Sequence, residues 1–220
     1  AVLRRPAVIL AIAATCRKTE RMDNVGTIFY TAPVAPHVLI NAFFLYSFLG
    51  FLIEVAYTRL CHHPKQDRKC LLFLPLCPVY GLGALAVLSL PALLLRRPLL
   101  VFLAGALVAT LVEYVVAVFY EKGVGVRFWE YDQQPGNLSG RICPLYTLFW
   151  GALSLLTVYG LQPLFSPLLA RIPLGLTQIL FLLFAADGLL SLFLLHRTGS
   201  TDCLLWYRRD RPVSPGQESM

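Results

Sequence analysis

Charged side chains are scarce in these 220 residues: 14% are Asp, Glu, Lys or Arg, against roughly 25% in soluble globular domains. That shortage excludes a water-facing surface of ordinary composition. With 57% of the residues hydrophobic, it leaves a chain solvated by lipid. Motifs are missing as well. No Gly-x4-Gly-Lys-Ser/Thr loop occurs, so any ATP hydrolysis has to come from a separate subunit. Neither a Gly-x-Ser-x-Gly elbow, a His-Glu-x-x-His pair nor an Asp-rich metal motif is present, so the common hydrolase and metal chemistries have no signature, and the catalytic residues of any enzyme reading are unknown. The net charge of +7 carries no nucleic-acid footprint: Lys and Arg lie between apolar runs, where anionic headgroups account for them, and no basic motif is interleaved with aromatics. Six cysteines without a CxxC pair do not form a disulfide framework. The stretch "LCHHPKQDRKC", with Cys61, His62, His63 and Cys70, has the side chains for zinc but reads as a polar loop. No metal and no cofactor is assigned.

What is abundant is apolar run length. Windows of about 20 mostly apolar residues, enough to cross a hydrocarbon core of roughly 30 Å, recur near Val38–Leu60, Val79–Leu95, Leu99–Tyr120, Leu145–Phe165 and Pro173–Leu195. The expectation is an all-α polytopic membrane protein with about five transmembrane helices and a polar interfacial loop between the third and fourth. Residues 1–37 read as an N-terminal extension, 38–196 as the transmembrane domain and 197–220 as a basic, flexible tail. The first Met is Met22, and residues 1–21 read as lying upstream of the true start or on the membrane surface. From Met22 onward the connections hold three basic residues on the N-terminal side and eleven on the other, which predicts an outside N-terminus and a cytoplasmic tail. Keeping residues 1–21 weakens that bias to eight against eleven.

The two halves echo each other. "LIEVAY" precedes "CPVYG" at Cys77–Gly81, and "LVEYVV" precedes "CPLYT" at Cys143–Thr147, a two-helix unit whose copies run the same way. Glu54, Glu113 and Asp187 fall at similar depth in the odd-numbered spans. Stepping from Glu113 at helical intervals meets Gly105, Ala106, Ala109, Thr110 and Ala117; stepping from Glu54 meets Tyr46, Ser47, Gly50, Tyr57 and Thr58. Small residues let helix backbones approach in lipid, so both acids should face the bundle interior. A central acid costs roughly 3 kcal/mol, which the 13 Leu, Val and Phe of the third span offset at roughly 0.4 kcal/mol each. Two readings stand: hydrogen-bonded struts, or a substrate or proton path. For Asp187, accompanied by Gly188 and Ser191 alone, the strut reading is the stronger.

The connection "EKGVGVRFWEYDQQPGNLSGRICP", Glu121 to Pro144, is longer than a turn between helices needs and should fold into a cap or a re-entrant piece. Arg141 is placed to reach the acids as their counter-charge. Asn137-Leu138-Ser139 is a glycosylation sequon, expected to stay unmodified on a cytoplasmic loop.

"FFLYSFLGFLIEVAY", "LPLCPVYGLGA", "LVEYVVAVFYE" and "RFWEYDQQPGNLSGRICPLYTLFWG" together resemble the family known as "putative ABC-transporter type IV" permeases, small bacterial integral membrane proteins. The resemblance covers about Phe43 to Pro163 and is carried at Tyr46, Gly50, Glu54, Pro78, Tyr80, Gly81, Glu113, Tyr114, Trp129, Tyr131, Asn137, Gly140, Arg141 and Gly151. Departures are Phe51 for a common Trp, Phe128-Trp129-Glu130 for Trp-Trp-Asp, and Gly136 for an aromatic. It implies a multi-pass permease-type component of the bacterial cell membrane that moves a solute. Its path would pass Glu54, Glu113, Tyr46, Tyr80, Tyr114 and Arg141, with Trp129, Tyr131, Asn137 and Gly140 in the interfacial loop. The partners expected are the lipid bilayer, a separate ATPase subunit and further copies of the chain, since five helices leave little room for a pore in one copy; nucleic acid is not among them. A membrane-embedded enzyme acting on a lipid, and an accessory subunit of another membrane complex, stand as alternatives.

Overall fold

The structure, a computed structural model, describes residues 35–61 and 69–205. The expectations for residues 1–34, for His62 and His63, and for the tail beyond Leu205 lie outside the described residues.

Proline opens the principal helices, at the one position where a missing N–H costs nothing: α1 (Pro36–Leu60), α2 (Pro78–Leu88), α4 (Pro98–Val118) and α5 (Pro144–Leu156). A four-residue turn, α3 (Ala92–Leu95), lies between α2 and α4. A π-helical turn, Phe119–Val124, continues α4; another, Thr157–Leu161, joins α5 to α6 (Gln162–Leu169) ahead of Pro163, whose ring breaks the regular bonding. The last long helix is α7 (Leu174–Thr198), ended by Gly199 in the left-handed region and followed by a 3₁₀ turn at Thr201–Leu204. No strand occurs among the described residues.

Four helical stretches are long and apolar enough to cross a membrane: Pro36–Leu60, Pro98–Val124, Pro144–Leu169 and Leu174–Thr198. The chain is thus an all-α polytopic membrane protein. The expected second span, Val79–Leu95, is not one helix. It breaks at Ser89-Leu90-Pro91, because Pro91 offers no N–H and forces the residue before it out of the helical region. The 11 residues of α2 cover about 16 Å, half of the hydrocarbon core.

Irregular chain from Lys69 to Cys77 makes up the missing half. Unpaired backbone is not tolerated at membrane depth, and here every N–H from Leu72 to Cys77 has an acceptor. Leu72 N–H donates to Ser191 Oγ at 2.9 Å, Phe73 N–H to Asp187 Oδ2 at 3.1 Å and Leu74 N–H to the same oxygen at 2.7 Å. Pro75 has no donor, Leu76 bonds Leu74 O and Cys77 bonds Ser47 O in the middle of α1, both at 2.9 Å. Asp187 thus stitches a non-helical strand of chain into the bundle.

Two contacts set the direction of the helices. Asn41 near the start of α1 donates to Leu169 O at the end of α6 and accepts from Thr177 Oγ1 near the start of α7. Helices α1 and α7 therefore run parallel, with α5–α6 antiparallel to them. Ten residues on from that pair, Asp187 stands level with Phe51, three residues short of Glu54, so these two acids lie at similar depth.

The small-residue faces are also where the sequence put them. Gly105, Ala106, Ala109, Thr110 and Glu113 are buried in α4, as are Tyr46, Ser47, Gly50 and Thr58 in α1. Leu103, Leu107, Leu111 and Val115, four apart, lie exposed on the opposite face of α4, ready for lipid. Lipid tails are as apolar as Leu, so close packing holds such helices together. At Gly105 an added β-carbon would land on the Ser154 hydroxyl of α5; at Gly50 it would land in the Tyr80 ring.

Candidate functional site

Helices α2 and α5 both start beneath the surface, each after a cysteine and a proline, and each brings aromatic rings beside a carboxylate. Gly50 lets the Tyr80 ring lie against α1, and Tyr80 Oη donates to Glu54 Oε1, one turn further along, at 2.7 Å. In the second unit Trp150 Nε1 donates to Glu113 Oε2 at 2.9 Å and Tyr131 Oη to Oε1 at 3.0 Å. Glu113 is 4% exposed. It lies 11 residues before Val124, about 16 Å along the helix, so the connection that supplies Tyr131 folds back into the membrane-level part of the molecule.

That connection is a folded cap. Tyr131 N–H bonds Gly140 O at 2.8 Å, and Leu138 and Ile142 form an isolated antiparallel bridge. Asn137 spends its amide on Asp132 O (3.1 Å) and Gln134 O (2.9 Å) and takes the Gly140 N–H at 3.0 Å on its Oδ1. Gly140 has φ +67°, and a β-carbon there would strike the Asp132 carboxylate. Trp129 Nε1 donates to Arg141 O at 3.0 Å. Burial, and then the charge of Glu113, push the Tyr131 phenol well above its ordinary range, so it stays protonated and able to donate. Its ring stacks on Tyr146 with centroids 4.5 Å apart.

Between the cap, α1, α2 and α5 lies a cavity of about 730 Å³, within the range typical of ligand sites. Glu54, Tyr80 and Glu113 line it, with Trp129 and Tyr131 from the cap. So do Tyr57, Tyr146, Phe149 and Trp150, which the sequence reading did not assign to the path. Thr201, Asp202 and Leu205 border it too, so it opens towards the side where α7 ends. One copy of the chain therefore holds more room than five narrow helices promised. The thiols of Cys70 and Cys77, both on the cavity wall, lie 3.0 Å apart.

Three path residues fall elsewhere. Arg141 does not reach the acid layer: its Nε donates to Glu121 Oε2 at 2.8 Å, and Glu121 also holds Arg127 at 2.8 Å. Glu121, in the π-helical turn, is simply the nearer acid. Tyr114 lies under the Arg141 guanidinium, 5.8 Å from ring centroid to Cζ, outside the cavity. Tyr46 is buried and donates to Gln162 Oε1 at 2.6 Å. It lines a small pocket of about 40 Å³ that shares Ile53, Tyr80, Trp150, Leu153 and Leu156 with the large cavity. The Tyr80–Trp150 pair, with centroids 5.0 Å apart, stands in this shared wall with three aliphatic side chains. Beyond it stand the buried polar groups of Tyr46, Ser154, Thr157 and Gln162. No group of three metal-capable side chains occurs among the described residues.

A polytopic membrane protein with carboxylates of its membrane-crossing helices on a cavity is the class that these features define. The model of the family described as "Putative ABC-transporter type IV" matches residues 41–192, and the chain belongs to that family. Neither a curated protein nor a solved structure matches it.

Proposed function

We propose that this chain is the membrane-spanning component of an ABC-type transporter, in which the solute enters the large cavity and meets Glu113 and Glu54 beside the Tyr80–Trp150 pair. The observation that carries the reading is the cavity itself: about 730 Å³ of space reaching two carboxylates on membrane-crossing helices, continued past the shared wall by a pocket of about 40 Å³. Such an arrangement fits a path open to one side and closed to the other. The broken second crossing supports the same reading, since interrupted helices in lipid are found where they border a cavity. With the basic residues inside, the N-terminus lies outside and the mouth faces the cytoplasm, where a separate ATPase subunit docks; the membrane is the bacterial cell membrane, and further copies of the chain complete the assembly.

Flux into liposomes tests it. Purified protein, alone and with a co-purified ATPase, is assayed with a panel of radiolabelled cationic, anionic and neutral solutes. The reading expects ATP-dependent flux of at least one, lost in Glu113→Gln. Flux of none by wild type with the ATPase present overturns it.

A further inference from the structure

Among the described residues, most ring donors on the cavity wall already have acceptors. Tyr80, Tyr131 and Trp150 spend their one O–H or N–H each on Glu54 or Glu113. Trp129 spends its N–H on Arg141 O, and the hydroxyls of Tyr57 and Tyr146 bond each other at 2.9 Å, which uses one of their two O–H groups. The two bases on the wall are committed as well. Arg127 reaches Glu121 at 2.8 Å and Asp132 at 3.5 Å, while Lys69 Nζ donates to Leu72 O at 3.1 Å. Among the described residues, each charged donor of the wall thus already has an acceptor.

What faces a ligand instead is carboxylate and aromatic ring. Glu113 takes only neutral donors, and among the described residues no Lys or Arg stands within ion-pair range of it. Glu130 lies on the same wall. Two ring pairs, Tyr80–Trp150 and Tyr131–Tyr146, flank the acids, with Phe149 beside them. Faces of aromatic rings attract cations, most strongly where water is excluded, and the wall is apolar over most of its area. We infer that this cavity binds a hydrophobic organic cation, its charge facing Glu113 and its apolar substituents lying against the rings. The inference rests on the proposed transport role for its physiological meaning, and concerns the substrate class alone.

Equilibrium binding of tetraphenylphosphonium and of tetraphenylborate, which share shape and differ in the sign of charge, tests this on purified full-length protein in nanodiscs. Wild type should bind the phosphonium saturably, once per chain, and the borate only by unsaturable partitioning. Glu113→Gln should weaken the phosphonium roughly 10- to 100-fold, the range of a charged-group contact in a desolvated site. Phe149→Ala should weaken it about tenfold with an unchanged melting temperature. Equal saturable binding of the two ions, or phosphonium binding unaffected in both variants, overturns the inference. Should Glu113→Gln fail to fold, the contrast between the two ions on wild type and the Phe149→Ala result decide it. Failure here with flux of anionic or neutral solutes retained removes the substrate class and leaves the transport reading standing; absence of any flux removes the transport reading alone.

Discussion

Asp187 and Glu113 are both carboxylates buried to within 6% of full enclosure in helices long and apolar enough to cross a membrane, yet they are wired differently. Asp187 accepts from the main chain of Phe73 and Leu74 and from the Ser191 hydroxyl, so it completes the hydrogen bonding of a stretch that could not otherwise lie inside a membrane. Glu113 accepts only from the side chains of Tyr131 and Trp150 and borders the cavity. A carboxylate at mid-membrane is thus not a function in itself. Its partners decide whether it holds the fold or faces a solute.

Substitutions should widen this contrast. The largest loss of stability is expected for Asp187→Ala, which removes the side-chain acceptor of the Phe73 and Leu74 N–H groups and should cost about 2–5 kcal/mol; Asp187→Asn, keeping one acceptor oxygen, should cost less, as chemical denaturation in detergent will report. Gly50→Ala comes next. A methyl group there forces the Tyr80 ring off α1, and overpacking of this kind should cost about 1–3 kcal/mol, with the Tyr80–Glu54 bond lost as well; the tyrosine environment seen by ultraviolet resonance Raman checks that part. Tyr131→Phe removes one donor from Glu113 and should cost about 0.5–1.5 kcal/mol, while cap protection in hydrogen exchange persists because Tyr131 N–H and Gly140 O still bond. The smallest change in stability is expected for Glu113→Gln, within about 1 kcal/mol: the amide oxygen can still accept from Trp150, and the amide N–H can donate to the Tyr131 hydroxyl. Its melting curve should nearly overlay that of wild type.

Much of this layout could be read from the residues. Stepping from Glu54 and Glu113 by helical intervals found both packing faces, and the paired "CPVY" and "CPLY" stretches do open two helices that bring aromatics to the acids. The broken crossing was missed because Val79–Leu95 is apolar throughout and hydropathy is blind to a proline inside a run, although Pro91 carried the signal. Arg141 was given to the wrong acid because spacing along the chain says nothing about which carboxylate the π-helical turn brings nearest. Tyr146 and Trp150 were missed for a simpler reason. The helical stepping applied to the acids was not applied from Cys143, where Tyr146 and Trp150, four apart, fall on one face.

The central claim, that Glu113 serves the cavity whereas Asp187 serves the fold, is tested most directly by liposome flux normalised to folded protein, comparing Glu113→Gln with Asp187→Asn. The account predicts that Glu113→Gln folds like wild type and transports at background, while whatever Asp187→Asn protein folds transports at the wild-type rate per molecule. Wild-type flux in Glu113→Gln, or background flux in well-folded Asp187→Asn, contradicts it.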